Sequence, residues 1–216
     1  MLGAGRSMFD RGKSVDRIAV TLVIAFIGVC LGCNSAIPRF GVGGRYEEGM
    51  DQFLRGRSGD MNLAVTSLEY VVSQDPTYKK CLTYLGRAYY RNGRYQDAFA
   101  VLQRALAVDK EDEIAWISLG VTQLRLNQTD KGIESLKGGI TLASRVMVDG
   151  YHNYLYWDTR GVVKASLRRS AFLITKGPDE KDGIIQSTER LLALIDEEEN
   201  FQRNTRIQNE RQYMGQ

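Results

Sequence analysis

One period governs this chain. Moving along it by 34 residues carries Leu85-Gly86 onto Leu119-Gly120, Leu82 onto Trp116 and Leu102 onto Leu136. The same step takes Ala98 to Gly132 and Ala105 to Gly139, and backwards it takes Ala98 to Ala64, Leu102 to Leu68 and Ala105 to Val71. A fixed repeat of this size is read as helical hairpins stacked in line, each burying its apolar face on the next, rather than as one globular core. Gly86 sharpens the reading. It sits inside an amphipathic run, where glycine costs about 1 kcal/mol relative to alanine. That cost is expected where a second helix comes too close for a Cβ, and Ala98 is the small residue expected opposite.

Leu82, Leu85, Gly86, Tyr89, Ala98, Leu102 and Ala105, and again Trp116, Leu119 and Gly120, give the chain its resemblance to the tetratricopeptide repeat (TPR) family. The resemblance covers roughly residues 45–143. It is weaker in the third copy, where Gln123 and Gly132 replace Tyr89 and Ala98, and the first copy carries about three extra residues before Gly59. The resemblance implies an all-α fold, a short right-handed TPR-like solenoid of about three helical hairpins. It also implies a concave groove lined by the first helix of each hairpin. In the second copy those positions are Lys80, Thr83, Arg87, Tyr90 and Arg91; in the third they are Ile114, Ile117, Val121, Leu124 and Arg125. One face is basic and aromatic, the next almost wholly apolar. An apolar face of that kind marks a contact surface, so either the C-terminal segment or a partner's amphipathic helix is expected to cover it.

The N-terminus carries a second signal. Arg11, Lys13 and Arg17 precede IAVTLVIAFIGVCL, which has no charge, and Gly32-Cys33 follows. A basic start, a short apolar run and a small residue describe a secretory signal, and the run is short of the ~20 residues a spanning helix needs. Gly32-Cys33 resembles the processing site of bacterial lipoproteins, although Cys30 stands where that family usually has leucine. The resemblance implies that Cys33 is acylated with palmitate-type chains and becomes the new N-terminus, and two acyl chains hold a stable anchor. The alternative is an uncleaved anchor, since Ile18 to Pro38 contains no charged residue. Either fate places the bulk of the chain in a bacterial cell envelope, facing the periplasm or exterior. Residues 1–32 are thus read as signal segment, 33–44 as a Gly- and Pro-containing tether, and 45–143 as repeats.

Beyond 143 the period slips. Trp157 and Gly161 repeat the spacing of Trp116 and Gly120, but seven residues late. A helix from near Tyr154 to about Thr175 is expected, stopped by Gly177-Pro178, and then a last helix with Ile184, Ile185, Thr188, Leu191, Leu192 and Ile195 at helical spacing. Residues 144–200 are read as a divergent, enlarged capping hairpin, because a solenoid must cover its last apolar face. Residues 201–216 are read as an overhanging polar helical tail.

Chemistry is sparse. Without the leader the chain holds 25 basic against 24 acidic side chains, which lacks the concentrated basic footprint that nucleic acid requires. Cys81 is alone once Cys30 and Cys33 are accounted for, and reads as a small semi-buried residue. His152, the one histidine, lies in YHNYLYW and reads as a packed or capping residue. Glu197-Glu198-Glu199 reads as a solvated acidic turn, and Arg160, Lys164 and Arg168 as a basic helix stripe. No catalytic set, metal site or cofactor is expected. The reading is a membrane-anchored protein–protein interaction scaffold binding a partner peptide or helix in the TPR groove. The competing one is a small-ligand carrier or enzyme with a pocket around the aromatic segment 151–157.

Overall fold

The helices are placed by caps and turns that can be read one at a time. In the computed structural model the described residues are 40–147, 151 and 156–214, with side chains to 209. The chain divides into two units, Met1–Pro38 and Arg39–Gln216, and every described residue belongs to the second. The signal segment with Cys30 and Cys33, and His152 with Tyr154, lie outside the described residues. The described residues form eight α-helices: α1 Gly41–Leu54, α2 Met61–Gln74, α3 Cys81–Arg91, α4 Tyr95–Val108, α5 Glu113–Arg125, α6 Thr129–Val146, α7 Val162–Thr175 and α8 Lys181–Met214. The fold is an all-α helical repeat, and among the described residues no helix is long and apolar enough to cross a membrane.

Asp60 starts α2 by accepting from the backbone N–H groups of Asn62 and Leu63, and Asp112 starts α5 in the same way from Ile114 and Ala115. Each satisfies two donors that a helix start leaves unpaired. The turn between α3 and α4 needs a left-handed residue at Gly93 (φ 75°), and its counterpart one period later is Asn127 (φ 61°). Asparagine tolerates that conformation better than most residues.

Gly86 has the role its sequence position suggested, with a different main neighbour. A Cβ there would lie 2.6 Å from the Leu102 Cγ, while the Ala98 carbonyl oxygen is 3.5 Å away. Gly120 meets Leu136 at 2.6 Å and the Gly132 carbonyl oxygen at 2.9 Å in the next hairpin. In the first, the equivalent is Gly49 against Leu68 at 2.9 Å. It lies three residues further upstream than the period alone would put it, which accounts for the three extra residues before Gly59. Gly86→Leu is therefore expected to cost about 1–3 kcal/mol, the range for overpacking, despite leucine's better helix propensity. Chemical denaturation measures it, and an unchanged midpoint would contradict the contact.

Two expectations shift. Helix α1 begins at Gly41, inside the stretch 33–44 read as a tether; buried Tyr46, Met50 and Phe53 give it an inward face that reaches back over the glycines. Helix α7 begins only at Val162. Buried Asp158 accepts from the Val163 and Lys164 backbone N–H groups at 3.0 and 2.8 Å, and Gly161 is left-handed (φ 68°). Trp157 and Gly161 thus belong to a capped turn and not to a fourth copy of the repeat helix, and Arg160 falls outside the helix that carries Lys164 and Arg168.

The core has two parts that share α5. Ala115 and Leu119 join the cluster formed by α1 to α4, while Ile114, Ile117, Val121 and Leu124 join the one formed with α6 to α8. Cys81 is fully buried and its thiol donates to the Asp75 and Pro76 carbonyls at 3.5 Å. Burial pushes that thiol up to about 11, so it is an inert part of the packing.

Candidate interaction groove

The first helices α1, α3 and α5 lie side by side, and α8 packs against α5 at one end of the row and α1 at the other. Helix α8 turns two stripes toward the rest of the fold, one buried and one only partly buried. Ile184, Thr188, Leu191 and Ile195 form the apolar one, and all are at most 1% exposed. Glu189, Leu192, Asp196, Glu199 and Arg203 form the second, at alternating spacings of three and four that keep one face of a helix toward a partner.

This second stripe meets the groove residue by residue. Glu189 accepts from the Arg125 guanidinium at 2.7 Å and from the Tyr90 hydroxyl. Asp196 accepts from Arg87 Nη2 at 2.7 and 2.8 Å, one contact to each oxygen, and from Arg91 as well. Glu199 accepts from the Tyr84 hydroxyl at 2.8 Å, and Arg203 donates to Glu47 on α1 at 2.6 Å. Phe53 lies beneath, with the Arg91 and Arg87 guanidiniums 4.0 and 5.0 Å from its ring centroid, which adds cation–π attraction.

Of the ten groove positions named from the sequence, Arg87, Tyr90, Arg91 and Arg125 reach α8. Ile114, Ile117, Val121 and Leu124 are buried in the core that α8 completes. Lys80 and Thr83 are used differently. Thr83 donates to Asp112 at 2.7 Å and Lys80 lies 3.5 Å from it, so both brace the cap of α5. The occupant of the apolar face is the chain's own last helix.

Burial decides the electrostatics. Arg87 and Asp196 are 4% and 5% exposed at their side chains. Burial opposes the Arg87 charge, but the Asp196 carboxylate, with Tyr84 and Glu199 beside it, outweighs burial and holds the guanidinium above its usual range. Arg91 competes for the same carboxylate, and burial followed by repulsion from Arg87 leaves it below its usual range. Glu199 is raised by burial first and by Asp196 as well, although its bond from Tyr84 pulls the other way.

That shift has a sign. A carboxyl raised in the folded state favours folding while protonated and loses that contribution as pH rises from the ordinary glutamate range through the folded value. Glu199→Gln keeps an acceptor for Tyr84 and removes the ionisation. The melting temperature of Glu199→Gln relative to the parent is expected to rise as pH climbs from 4 towards 7. A difference that stayed flat across a series of melts, or fell, would contradict the shift.

The acidic run 197–199 is a correction to the sequence reading. Only Glu197 is solvated, pairing with Arg190 at 3.5 Å. Glu198 is buried, accepting from the Asp158 backbone N–H at 3.2 Å and the Gln202 amide at 2.8 Å. Glu189, Asp196, Glu199 and Tyr84 escaped the sequence reading, and the signal that could have found them was the alternating three-and-four stripe beside the apolar one. Around the aromatic segment, Tyr151 packs on Trp157 with ring centroids 4.7 Å apart and its hydroxyl contacts Glu113. Among the described residues, the free space lined by Tyr151 is about 10 Å³, room for about one water molecule.

Residues 57–119 match the family model described as tetratricopeptide repeat, a span running from the turn before α2 to the middle of α5. Among curated proteins none matches the chain. Repeats of this family in general mediate protein–protein interaction and are not enzymes. The 34-residue step, the glycine–leucine contact repeated in three hairpins and the family match agree on a helical-repeat fold, and residues 57–119 are the part of the chain that matches the tetratricopeptide repeat.

Proposed function

We propose that the chain is a membrane-tethered scaffold in a bacterial cell-envelope assembly, lipidated at Cys33, whose groove docks a helix of a partner protein. The leader motif at Gly32-Cys33 supports the tether, and the repeats support the protein partner. The observation that carries the docking reading is the contrast between the two halves of α8. Residues 181–196 bury Ile184, Ile185, Leu191, Leu192 and Ile195. At about 1.5–3 kcal/mol each, that burial rivals the ~5–15 kcal/mol of a whole domain, so this half is permanent. Past Asp196 the side chains that are buried are polar, Glu198 and Gln202, while Phe201 and Ile207 are 63% and 43% exposed. The distal half is held over α1 and α3 by the Glu199–Tyr84 and Arg203–Glu47 contacts and is the part a partner helix displaces.

A photo-crosslinking residue at Glu47 in the membrane-bound chain tests this. It is expected to join a second protein, and to do so more strongly when residues 197–216 are deleted. Crosslinks that return only to α8, and vanish on deletion, would overturn the reading. Cys33→Ser is expected to abolish labelling by a fatty-acid analogue; persistent labelling would remove the lipid tether.

A further inference from the structure

Helix α7 turns one face to solvent, and that face is basic and aromatic. Its buried residues Val163, Leu167, Ser170 and Ile174 recur at helical spacing and pack inward, with Ser170 hydrogen-bonded to Ser187 of α8 at 2.8 Å. The same periodicity puts Arg168, Arg169 and Phe172 on the outside, with Lys176 just past the helix end; all four are exposed, Phe172 to 61%. Lys176 Nζ lies 5.3 Å from the Phe172 ring centroid. Beside the helix runs an open cleft of about 280 Å³, lined by Ser144, Met147, Lys164, Leu167 and Arg168. Buried Met147 and Leu167 give it an apolar floor, and the two cations stand at its rim.

The charge around this face is one-sided. Between Glu134 and Asp179 the chain carries seven Lys and Arg residues against two acids, Asp149 and Asp158. Asp158 is buried and taken up by the cap of α7, and Asp149 lies outside the described residues. Glu180, beyond the C-terminal end of α7, stands 3.9 Å from Lys176. Among the described residues no carboxylate comes within ion-pairing distance of Arg168 or Arg169. Scattered surface cations are ordinary. Cations that flank a protruding aromatic ring and a cleft with an apolar floor form the kind of face a helix lays on a bilayer.

We propose that the outer face of α7 docks on an anionic phospholipid surface, with Lys164, Arg168 and Arg169 at the level of the phosphates and Phe172 inserted at the edge of the acyl chains. The inference rests on the membrane-tether reading for proximity. Residues 34–40 span at most about 25 Å, so a chain anchored at Cys33 stays beside its bilayer. Each basic side chain close to such a surface strengthens binding roughly fivefold. The face thus supplies a second, reversible contact that fixes which side of the domain looks at the lipid.

The test uses the full chain in nanodiscs with a photo-crosslinking residue in place of Phe172. The discs contain either phosphatidylglycerol mixed with phosphatidylcholine or phosphatidylcholine alone. Phospholipid adducts, read by intact mass, are expected at least about tenfold more often in the anionic discs, and added salt is expected to lower the yield because exposed charges are screened. Arg168→Glu with Arg169→Glu is expected to reduce the adducts at least about tenfold at an unchanged melting temperature. Equal yields on the two lipids, or a yield indifferent to the charge reversal, would overturn the proposal. So would a probe that captures an added acidic protein from cells and no lipid in either disc. If the charge-reversed chain does not fold, the comparison of the two discs decides alone. Lipidation is read separately, by fatty-acid labelling at Cys33. A chain that is not labelled but gives adducts dependent on phosphatidylglycerol would keep the docking face and lose only the tether, since the uncharged run Ile18 to Pro38 still enters the disc.

Discussion

Ile117→Glu is expected to unfold the free chain at temperatures where the parent is stable. Ile117 is fully buried, and its backbone nitrogen and Cγ1 lie 2.7 and 2.8 Å from where a Cβ on Gly139 would stand. No route to water opens without separating α5 from α6. The substitution forfeits about 1.5–3 kcal/mol of apolar burial and adds a carboxylate whose desolvation costs several kcal/mol more. The sum, upwards of about 5 kcal/mol, belongs to the exceptional class of single changes and approaches the whole stability of a domain. Ile117→Val, which removes one methylene group, is expected to cost only about 0.5–1.5 kcal/mol. Urea denaturation of both variants measures it. A near-parental midpoint for Ile117→Glu would show that this side chain faces an open groove.

Asp196→Ala should be the second most damaging change, at about 3–5 kcal/mol, because it leaves two guanidiniums close together without their anion. The informative comparison is with Arg87→Met combined with Asp196→Leu. Replacing a buried ion pair by apolar groups of similar size is often close to neutral, so the double variant should be more stable than Asp196→Ala alone, with Arg91 left free to turn outward from its 25% exposed position. A denaturation cycle over the four proteins reads this out. Losses that simply add would mean that Arg87 and Asp196 are not coupled. Added salt should change the result little, since buried pairs are poorly screened.

The repeat hairpins were legible in the sequence because each depends on neighbours about 34 residues away or nearer. Leu102 meets Gly86 within one hairpin, and a periodic pattern records such contacts directly. The path of α8 was legible only in part. Its apolar positions announced a helix, and the uncovered face at Ile114, Ile117, Val121 and Leu124 required a cover. Nothing in the charges of residues 189–203 told which would be solvated. Glu197 and Glu199 are two positions apart on one helix, yet one faces water and the other Tyr84. That difference is set by where α8 lies across α3, a contact between residues 115 positions apart. The start of α7 was misread for a related reason. The Trp157–Gly161 spacing imitates the repeat, but Asp158 bonding the N–H groups of Val163 and Lys164 is a local competitor to helix that a period cannot reveal. The two glycines near the first turn show the same limit. Gly59 stands one 34-residue period before Gly93, where a Cβ would fall 1.9 Å from the Gln52 carbonyl oxygen, while the left-handed turn residue is Gly56.

Because α8 reaches from Arg125 on α5 back to Glu47 on α1, the stack no longer behaves as a row of semi-independent hairpins. In an ordinary solenoid each repeat is stabilised by its nearest neighbours and the ends can melt while the middle holds. Here the Arg203–Glu47 contact joins residues 156 apart, and the apolar faces of the third hairpin are closed by a segment that follows it in the chain. Synthesis and any passage through a membrane deliver the N-terminal repeats first. Until the residues up to about Ile195 have followed, the surface around Ile114, Ile117, Val121 and Leu124 stays bare. The chain therefore has an interval, set by its own order of elements, in which it is sticky and incomplete. Its last helix acts as the clasp that ends that interval and turns a gradual assembly into a single cooperative closure.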